Sequence, residues 1–355
     1  MATLLTNNAE VTDRLRTIFS KMFKKSLVPE LRFHEFGMKQ SFPENDGGYT
    51  IRWWRPRQAS TTGINTAAIG ANEATDPATD TAVAVGYGEA TLALRFAQAS
   101  ISNVLRVTDL VDTLTTYTQK MSEDAALDLD TVCRNALMDA ASALSAGTWD
   151  KHVRFAGADN SDAASAETRF NAWKTSDAAV ARMSRLSNIG MQTQLSENKV
   201  PMIGGNYVCL VPPRLHSDMR TDTTLVAAMT NSDPGKLYKN ADIELDGVVF
   251  VKHNNPRRLA QTWGEQDQSS GANYGAVYVG RDAFVVPDIS GKLSYKSPYH
   301  PKVTILAEPD KSDLHNLKTM LGWKCLYTAK SSQTNEATDP PYFGVLWCKS
   351  AVLTN

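Results

Sequence analysis

RVTDLVDTLTTYTQKMSEDAALDLDTVCRNALMDAASALSA, residues 106–146, is the stretch on which the fold turns. Leu110, Leu114, Tyr117, Met121, Ala125, Leu129, Val132, Ala136, Ala140 and Leu144 recur every three or four residues. That period predicts one apolar stripe along a helix. Thr108 is a good N-cap, and Asp109 and Asp112 suit the positive end of the helix dipole. No Gly or Pro interrupts the run, and Gly147 ends it. A break would fall near Thr115–Thr116. The stripe is rich in Ala and Leu, so a close-packed core helix is expected. A coiled-coil dimer fits less well, because charges fall irregularly beside the seam.

Around this helix the chain has 355 residues, enough for one elaborate domain or two ordinary ones. The formal net charge of -1 provides no global basic field to draw the chain onto nucleic acid. No apolar run is long enough to predict a transmembrane helix, and no membrane partner is expected. The start, MATLLTNNAEVTDRLRTIF, has no basic segment leading into an apolar one, so no secretory signal is expected. Cys133, Cys209, Cys325 and Cys348 are far apart and read as reduced, buried thiols.

Residues 1–26 predict an amphipathic helix, with Leu15, Ile18, Phe19, Met22 and Phe23 apolar and five basic residues opposite. It reads as a surface helix or as an arm against a neighbour. After the turn Asp46-Gly47-Gly48, YTIRWWRPR predicts a strand. Tyr49, Ile51 and Trp53 share one face and Arg52 the other, Trp54 breaks the alternation, and Pro56 marks an end. Residues 58–82 are almost all small and polar, and TAVAVGYGEATLALRFAQASISN follows as a second extended segment. Together they predict a long two-stranded ribbon, which must lie on another subunit or domain because two strands bury too little. Residues 148–174 read as a polar excursion with a short strand at His152–Phe155, and a second helix is expected over Ser176–Ser196. YVCLVPP reads as a buried central strand stopped by Pro212 and Pro213, with a short helix after it. A hairpin is expected around Asp246-Gly247, two more strands around Gly280-Arg281-Asp282, and aromatic-rich strands to the C-terminus. The loop SSQTNEATDPP is expected to be exposed. The class is therefore α+β, with mostly antiparallel strands.

No catalytic constellation accompanies this pattern. There is no HExxH, GxSxG or Walker loop, and Val85–Ala90 lies in a strand pattern rather than a phosphate loop. The histidines at 34, 152, 216, 253, 300 and 315 are scattered, and His216 with Asp218 is too weak a pair to read as ligands. No metal, cofactor or catalytic residue is expected, and the chain reads as a non-enzyme.

KKSLVPELRFHEFGMKQSFPENDGGYTIRWWRPRQASTT, ALDLDTVCRNAL, NYVCLVPPRLHSDMRTD, IELDGVVFVKHNN and LKTMLGWKCLYTAK occur in that order. This series resembles the N4-like phage major capsid proteins across nearly the whole chain. The resemblance implies the HK-97-like capsid fold: an N-terminal arm (1–46), an E-loop β-ribbon (47–105), a P domain with the spine helix (106–174), an A domain (175–290) and C-terminal strands returning to the P domain (291–355). It implies a structural protein of the virion, assembled in the host cytoplasm. Hexamers and pentamers would close into an icosahedral shell around packaged double-stranded DNA, with weak non-specific DNA contact from the N-terminal Lys and Arg. A separate scaffolding protein, a portal and a decoration or cement protein are the expected partners. On the ribbon, Arg52, Arg55 and Arg57 are candidate subunit contacts, and Glu73 and Asp76 near its tip are candidate partners across a symmetry axis. Each of these also reads as a solvated charge. No lysine lies between Lys39 and Lys120, so no covalent ribbon cross-link is expected. A nanocompartment shell of the same fold and a soluble α+β enzyme with an unmarked site are the alternatives.

Overall fold

A computed structural model describes residues 21–23, 25, 27, 31–40, 49–56, 85–102, 113–144, 150–158, 165–176, 181–232, 243–259, 273–288, 302–306, 317–334 and 339–350. The spine is a single helix over Thr113–Ser142, about 45 Å long at 1.5 Å per residue. It runs through Thr115–Thr116 without a break, while Thr108 lies outside the described residues. Its buried stripe is Met121–Ser122, Ala125–Ala126, Leu129–Asp130, Cys133–Arg134, Leu137–Met138 and Ala141. The expected stripe coincides with it at Met121, Ala125 and Leu129 and then drifts off, leaving Val132, Ala136 and Ala140 half-buried and Tyr117 exposed. The reason is chemical: part of the true stripe is polar. Ser122 Oγ donates to Phe23 O (2.7 Å), Asp130 Oδ1 accepts from Phe33 N (2.7 Å), and Arg134 Nη1 donates to Asn255 Oδ1 (2.7 Å) and Pro256 O (3.0 Å). Buried polar groups with such partners cost little, and here they fasten distant segments to the helix.

A seven-stranded sheet lies beside the spine in the order β5-β15-β10-β6-β8-β7, with β9 paired to β10. The strands are β5 (Val153–Phe155), β6 (Tyr207–Val211), β7 (Ile243–Leu245), β8 (Val248–Lys252), β9 (Arg258–Leu259), β10 (Asn273–Val279) and β15 (Phe343–Lys349). Every residue of β6 and β15 is buried, because both faces are covered. Val208, Leu210, Val277, Phe343 and Val345 join the core that includes the spine. Tyr207, Cys209, Tyr278, Leu346 and Cys348 join a second core with Met191, Leu195, Leu215, Met219 and Leu225 of the helices Arg185–Glu197, Pro213–Met219 and Thr223–Ser232. The helix Arg185–Glu197 starts later than expected, at a capping box of Ser184 and Ser187, and Leu186 is exposed. The hairpin turns at Asp246 and Gly247, both at positive φ as its tight turn requires. The excursion at 148–174 contains an unexpected helix, Ala166–Trp173, that packs Phe170 and Trp173 on Phe155.

The remaining strands carry the ribbon. β2 (Thr50–Pro56) pairs antiparallel with β3 (Val85–Thr91), and β4 (Ala93–Ser102) pairs along its whole length with β13 (Lys318–Tyr327), which also pairs with β12 (Lys302–Leu306). β13 alternates strictly, with Thr319, Leu321, Trp323, Cys325 and Tyr327 buried. β1 (Met38–Gln40), β11 (Phe284–Pro287) and β14 (Lys330–Ser331) form a small fourth sheet. The N-terminal segment is bound into the subunit where it is described: Phe23, Leu27, Leu31 and Phe33 are all buried in the spine's core. Within 1–26 the described residues keep the amphipathic pattern, with Phe23 buried and Lys21 and Lys25 exposed. The last strand, β15, sits inside the large sheet between β5 and β10, and its Phe343, Val345 and Trp347 join the core that includes the spine.

Candidate assembly interface

Ribbon strand β2 alternates without interruption, so Trp54 does not break the pattern. Ile51, Trp53 and Arg55 face inward, and Arg52 and Trp54 face outward. The inward face is anchored on its own subunit. Ile51, Trp53, Ala90 and Leu92 cluster with Val285. Gly88 lies flat under the Trp53 indole, where a Cβ would collide. Trp53 Nε1 donates to Ser332 O at 3.2 Å. Arg55 is 6% exposed. Its Nη2 donates to Pro340 O at 2.5 Å, and its guanidinium stacks 3.6 Å over the Tyr342 ring. Nη1 is buried without a hydrogen-bond partner among the described residues. The described ends of the loop expected to be exposed, 331–334 and 339–341, are thus a seat for the ribbon, with Ser331, Ser332 and Asp339 buried.

The outward face carries exposed aromatic and charged groups. Trp54 is 65% exposed and packs on Tyr87, ring centres 5.1 Å apart. Arg52 Nε lies 3.8 Å from Glu89 Oε2, and Tyr87 Oη donates to the same Glu89 oxygen at 3.1 Å. Tyr49, Val85, Leu94 and Phe96 are exposed as well, Phe96 at 68%. An exposed apolar series of this extent on a ribbon and an adjoining strand marks an interaction surface. Of the sequence-derived contact residues, Arg52 sits on this face and Arg55 is turned into its own subunit. Arg57, Glu73 and Asp76 lie outside the described residues. The exposed Trp54, Tyr87, Leu94 and Phe96 were absent from that set. Their signal was large apolar residues at alternate positions opposite an anchored face.

Nothing in the described residues is arranged for catalysis. Burial pushes the Cys325 thiol up to about 12 and raises Cys133, Cys209 and Cys348 as well, so none is a nucleophile at neutral pH. No group of three His, Cys, Asp or Glu among the described residues could hold a metal, and no described helix is long and apolar enough to cross a membrane. A cleft beside the spine is lined by Arg32, Glu123, Asp124, Asp130 and Lys252. Burial raises Asp130 there to about 6, but its carboxylate is spent accepting backbone N–H groups of Arg32, Phe33 and His34.

Residues 97–283 match the family described as phage capsid protein, which is more than half of the chain. The chain belongs to the phage capsid protein family. Solved structures agree at the level of fold. The capsid asymmetric unit of cyanophage Pam1 superposes with a TM-score of 0.63 at 14% identity, covering 92% of this chain and 93% of that one. The capsid of Ralstonia phage GP4 gives 0.62 at 15% identity over 90% and 88%. Mycobacterium phage Che8 gives 0.51 at 16% identity over 89% and 90%. No curated protein matches the sequence. This capsid protein therefore has the HK-97-like fold and a structural role.

Proposed function

We propose that this capsid protein is the major shell subunit of an N4-like tailed phage. Many copies would form hexamers and pentamers and close into an icosahedral shell around double-stranded DNA, in the virion, after assembly in the host cytoplasm. The observation that carries this reading is the exposed aromatic face of a ribbon whose opposite face is pinned to its own subunit. A pinned ribbon is held ready for a neighbour, and an interface needs such buried-on-contact aromatic anchors. Residues 47–105 act as the E-loop and 1–46 as the N-terminal arm. Residues 106–174 and 291–355 form the P domain and 175–290 the A domain, with β15 crossing into the A-domain sheet. Arg52 and Arg57 contact acidic groups of a neighbour, with Glu73 and Asp76 among the partners. Arg55 serves assembly through the seat of the ribbon. Scaffolding, portal and decoration proteins are separate chains. Family membership favours this reading over a nanocompartment shell.

Expression of the chain alone, followed by size exclusion and negative-stain electron microscopy, tests it. Closed shells, sheets or capsomer rings are expected. A monodisperse monomer at every protein and salt concentration tried would count against it.

A further inference from the structure

Strand β4 closes one side of its three-stranded sheet. The order is β12-β13-β4, and β13 takes one edge of β4 along all ten residues, Ala93–Ser102. Among the described residues no strand takes the other edge. The strand is also bare on both faces over much of its length. Leu94, Phe96, Gln98 and Ser100 are exposed on the outer face. Ala93 and Ala97 stand opposite Tyr327 and Trp323 on the buried face of β13, yet they are exposed too. The layer beneath β13 therefore stops short of β4 at these positions. Natural proteins blunt a long edge with Lys, Pro or a bulge. The sequence of β4, ALRFAQASIS, has no Lys, Pro or Gly, and its register with β13 runs without a bulge. Its one charge, Arg95, is held by Asp128 of the spine at 3.3 Å.

We infer that β4 pairs antiparallel with β4 of a second copy, across a two-fold axis at Ala97. The two sheets then run on as one, in the order β12-β13-β4-β4-β13-β12. A two-fold axis normal to the sheet keeps each inner face beside the other inner face, so it must pass through one residue position. Positions 97 and 98 are the two that use nearly the whole strand. An axis at 98 would set Arg95 opposite the buried Ile101. An axis at 97 sets each larger side chain opposite a smaller one. Phe96 meets Gln98, Leu94 meets Ser100, Arg95 meets Ala99 and Ile101 meets Ala93, while Ala97 meets itself. The occupant is a second copy rather than a foreign strand because β4 is complementary to itself in this register. Such a contact uses the same patch on both subunits. Backbone pairing supplies the affinity, and the exposed Leu94 and Phe96 gain cross-strand cover. The inference rests on the shell reading, which brings copies together.

The test is disulfide trapping in the full chain. Directly opposed residues of an antiparallel pair have Cα atoms about 4.5–5.5 Å apart, within the reach of a disulfide. Ala97→Cys should therefore convert to a reducible dimer under mild oxidation. Ser100→Cys is the control, because the two copies of residue 100 would lie about 20 Å apart. It should stay monomeric on a non-reducing gel, as should the parent, whose four cysteines are all buried. Both substituted positions are exposed, and equal melting midpoints verify that the subunit is intact. A second pair of variants reads the same axis by charge. Ala97→Lys and Ala97→Glu each set like charges face to face and should lose self-association in size exclusion. An equimolar mixture of the two should recover it, which a merely structural role for residue 97 would not produce. Absence of the Ala97→Cys dimer overturns the pairing, and so does equal cross-linking by Ser100→Cys or a charge mixture that recovers nothing. Imaging the same samples separates the two readings. Particles without the Ala97→Cys cross-link remove the pairing and leave the shell. The cross-link without particles keeps the pairing and counts against the shell.

Discussion

In β6 and β15 every residue is buried, whereas along β3 burial alternates and along β4 most residues are exposed. Val, Leu, Phe and Tyr occur in both pairs of strands, but β3 and β4 add Glu, Thr, Arg, Gln and Ser between them. The large sheet has a helical layer on each face, so its apolar side chains are spent within the subunit. The ribbon has a seat on one face and, among the described residues, no cover on the other. One region is spent within the subunit, and the other keeps an outward face open among the described residues. Matched truncations should show that difference most strongly. Phe343→Ala, in the fully buried β15, should cost about 3–5 kcal/mol in a urea titration. Trp53→Ala removes a side chain of similar burial from the ribbon's seat. It should cost less globally and instead speed hydrogen exchange over residues 50–56 and 85–91. Equal global losses from the two would mean that seat and sheet unfold as one unit.

Acid should break the sheet side first. Burial lowers His34, His152 and His216 to about 4 and His253 to about 3. Each is held neutral when folded but takes a proton near 6.5 when unfolded, so its stabilisation is present above 6.5 and lost as pH falls towards 4. Asp130 acts the other way. Its folded value of about 6 exceeds the unfolded one, so its contribution grows as pH falls below 6. Four histidines against one aspartate leave a net loss on acidification, each group worth at most about 1.4 kcal/mol per pH unit. The urea midpoint should drop clearly between pH 6.5 and 4.5; a flat midpoint would show that these histidines are hydrated in solution.

How much of this was legible beforehand follows the same division. Apolar period alone located the spine, β6 and the strand β13, because in those elements burial and hydrophobicity coincide. It misplaced the lower half of the spine stripe, because Asp130 and Arg134 are buried through partners about a hundred residues away. It missed the role of loop 331–340 for the same reason: polar residues such as Ser332 and Asp339 become interior only once Trp53 and Arg55 rest on them. The site was legible as a ribbon and as Arg52. Trp54 was misread as a fault in the strand when it is the outward half of a regular alternation.

Arg55 offers a smaller test of the seat. Its guanidinium is buried beside a ring and a carbonyl, with no ion pair among the described residues, so its charge adds desolvation cost without a counter-ion. Arg55→Met keeps the stem and the stacking volume. Its effect on the melting free energy should stay within about 1 kcal/mol, while Arg55→Ala, which empties the space over Tyr342, should cost about 2 kcal/mol. A larger loss for the Met variant than for the Ala variant would mean that the charge itself holds the ribbon down.

Arg52 gives the least effect on the subunit and the most direct one on assembly. Its pairing with Glu89 is exposed on both sides, at 3.8 Å, and such pairs contribute about 0–1 kcal/mol. Arg52→Ala should therefore leave the urea midpoint of the isolated chain where it was. If the outward ribbon face meets a neighbour, the same variant should raise the concentration needed for particles, because each copy presents the face once and the small loss repeats at every contact. Adding salt should reproduce that shift in the parent and have less effect in the variant, since the lost charge is the one salt screens. Unchanged assembly at all salt concentrations would confine Arg52 to a solvated pair and leave Trp54, Tyr87 and Phe96 as the groups that carry the contact.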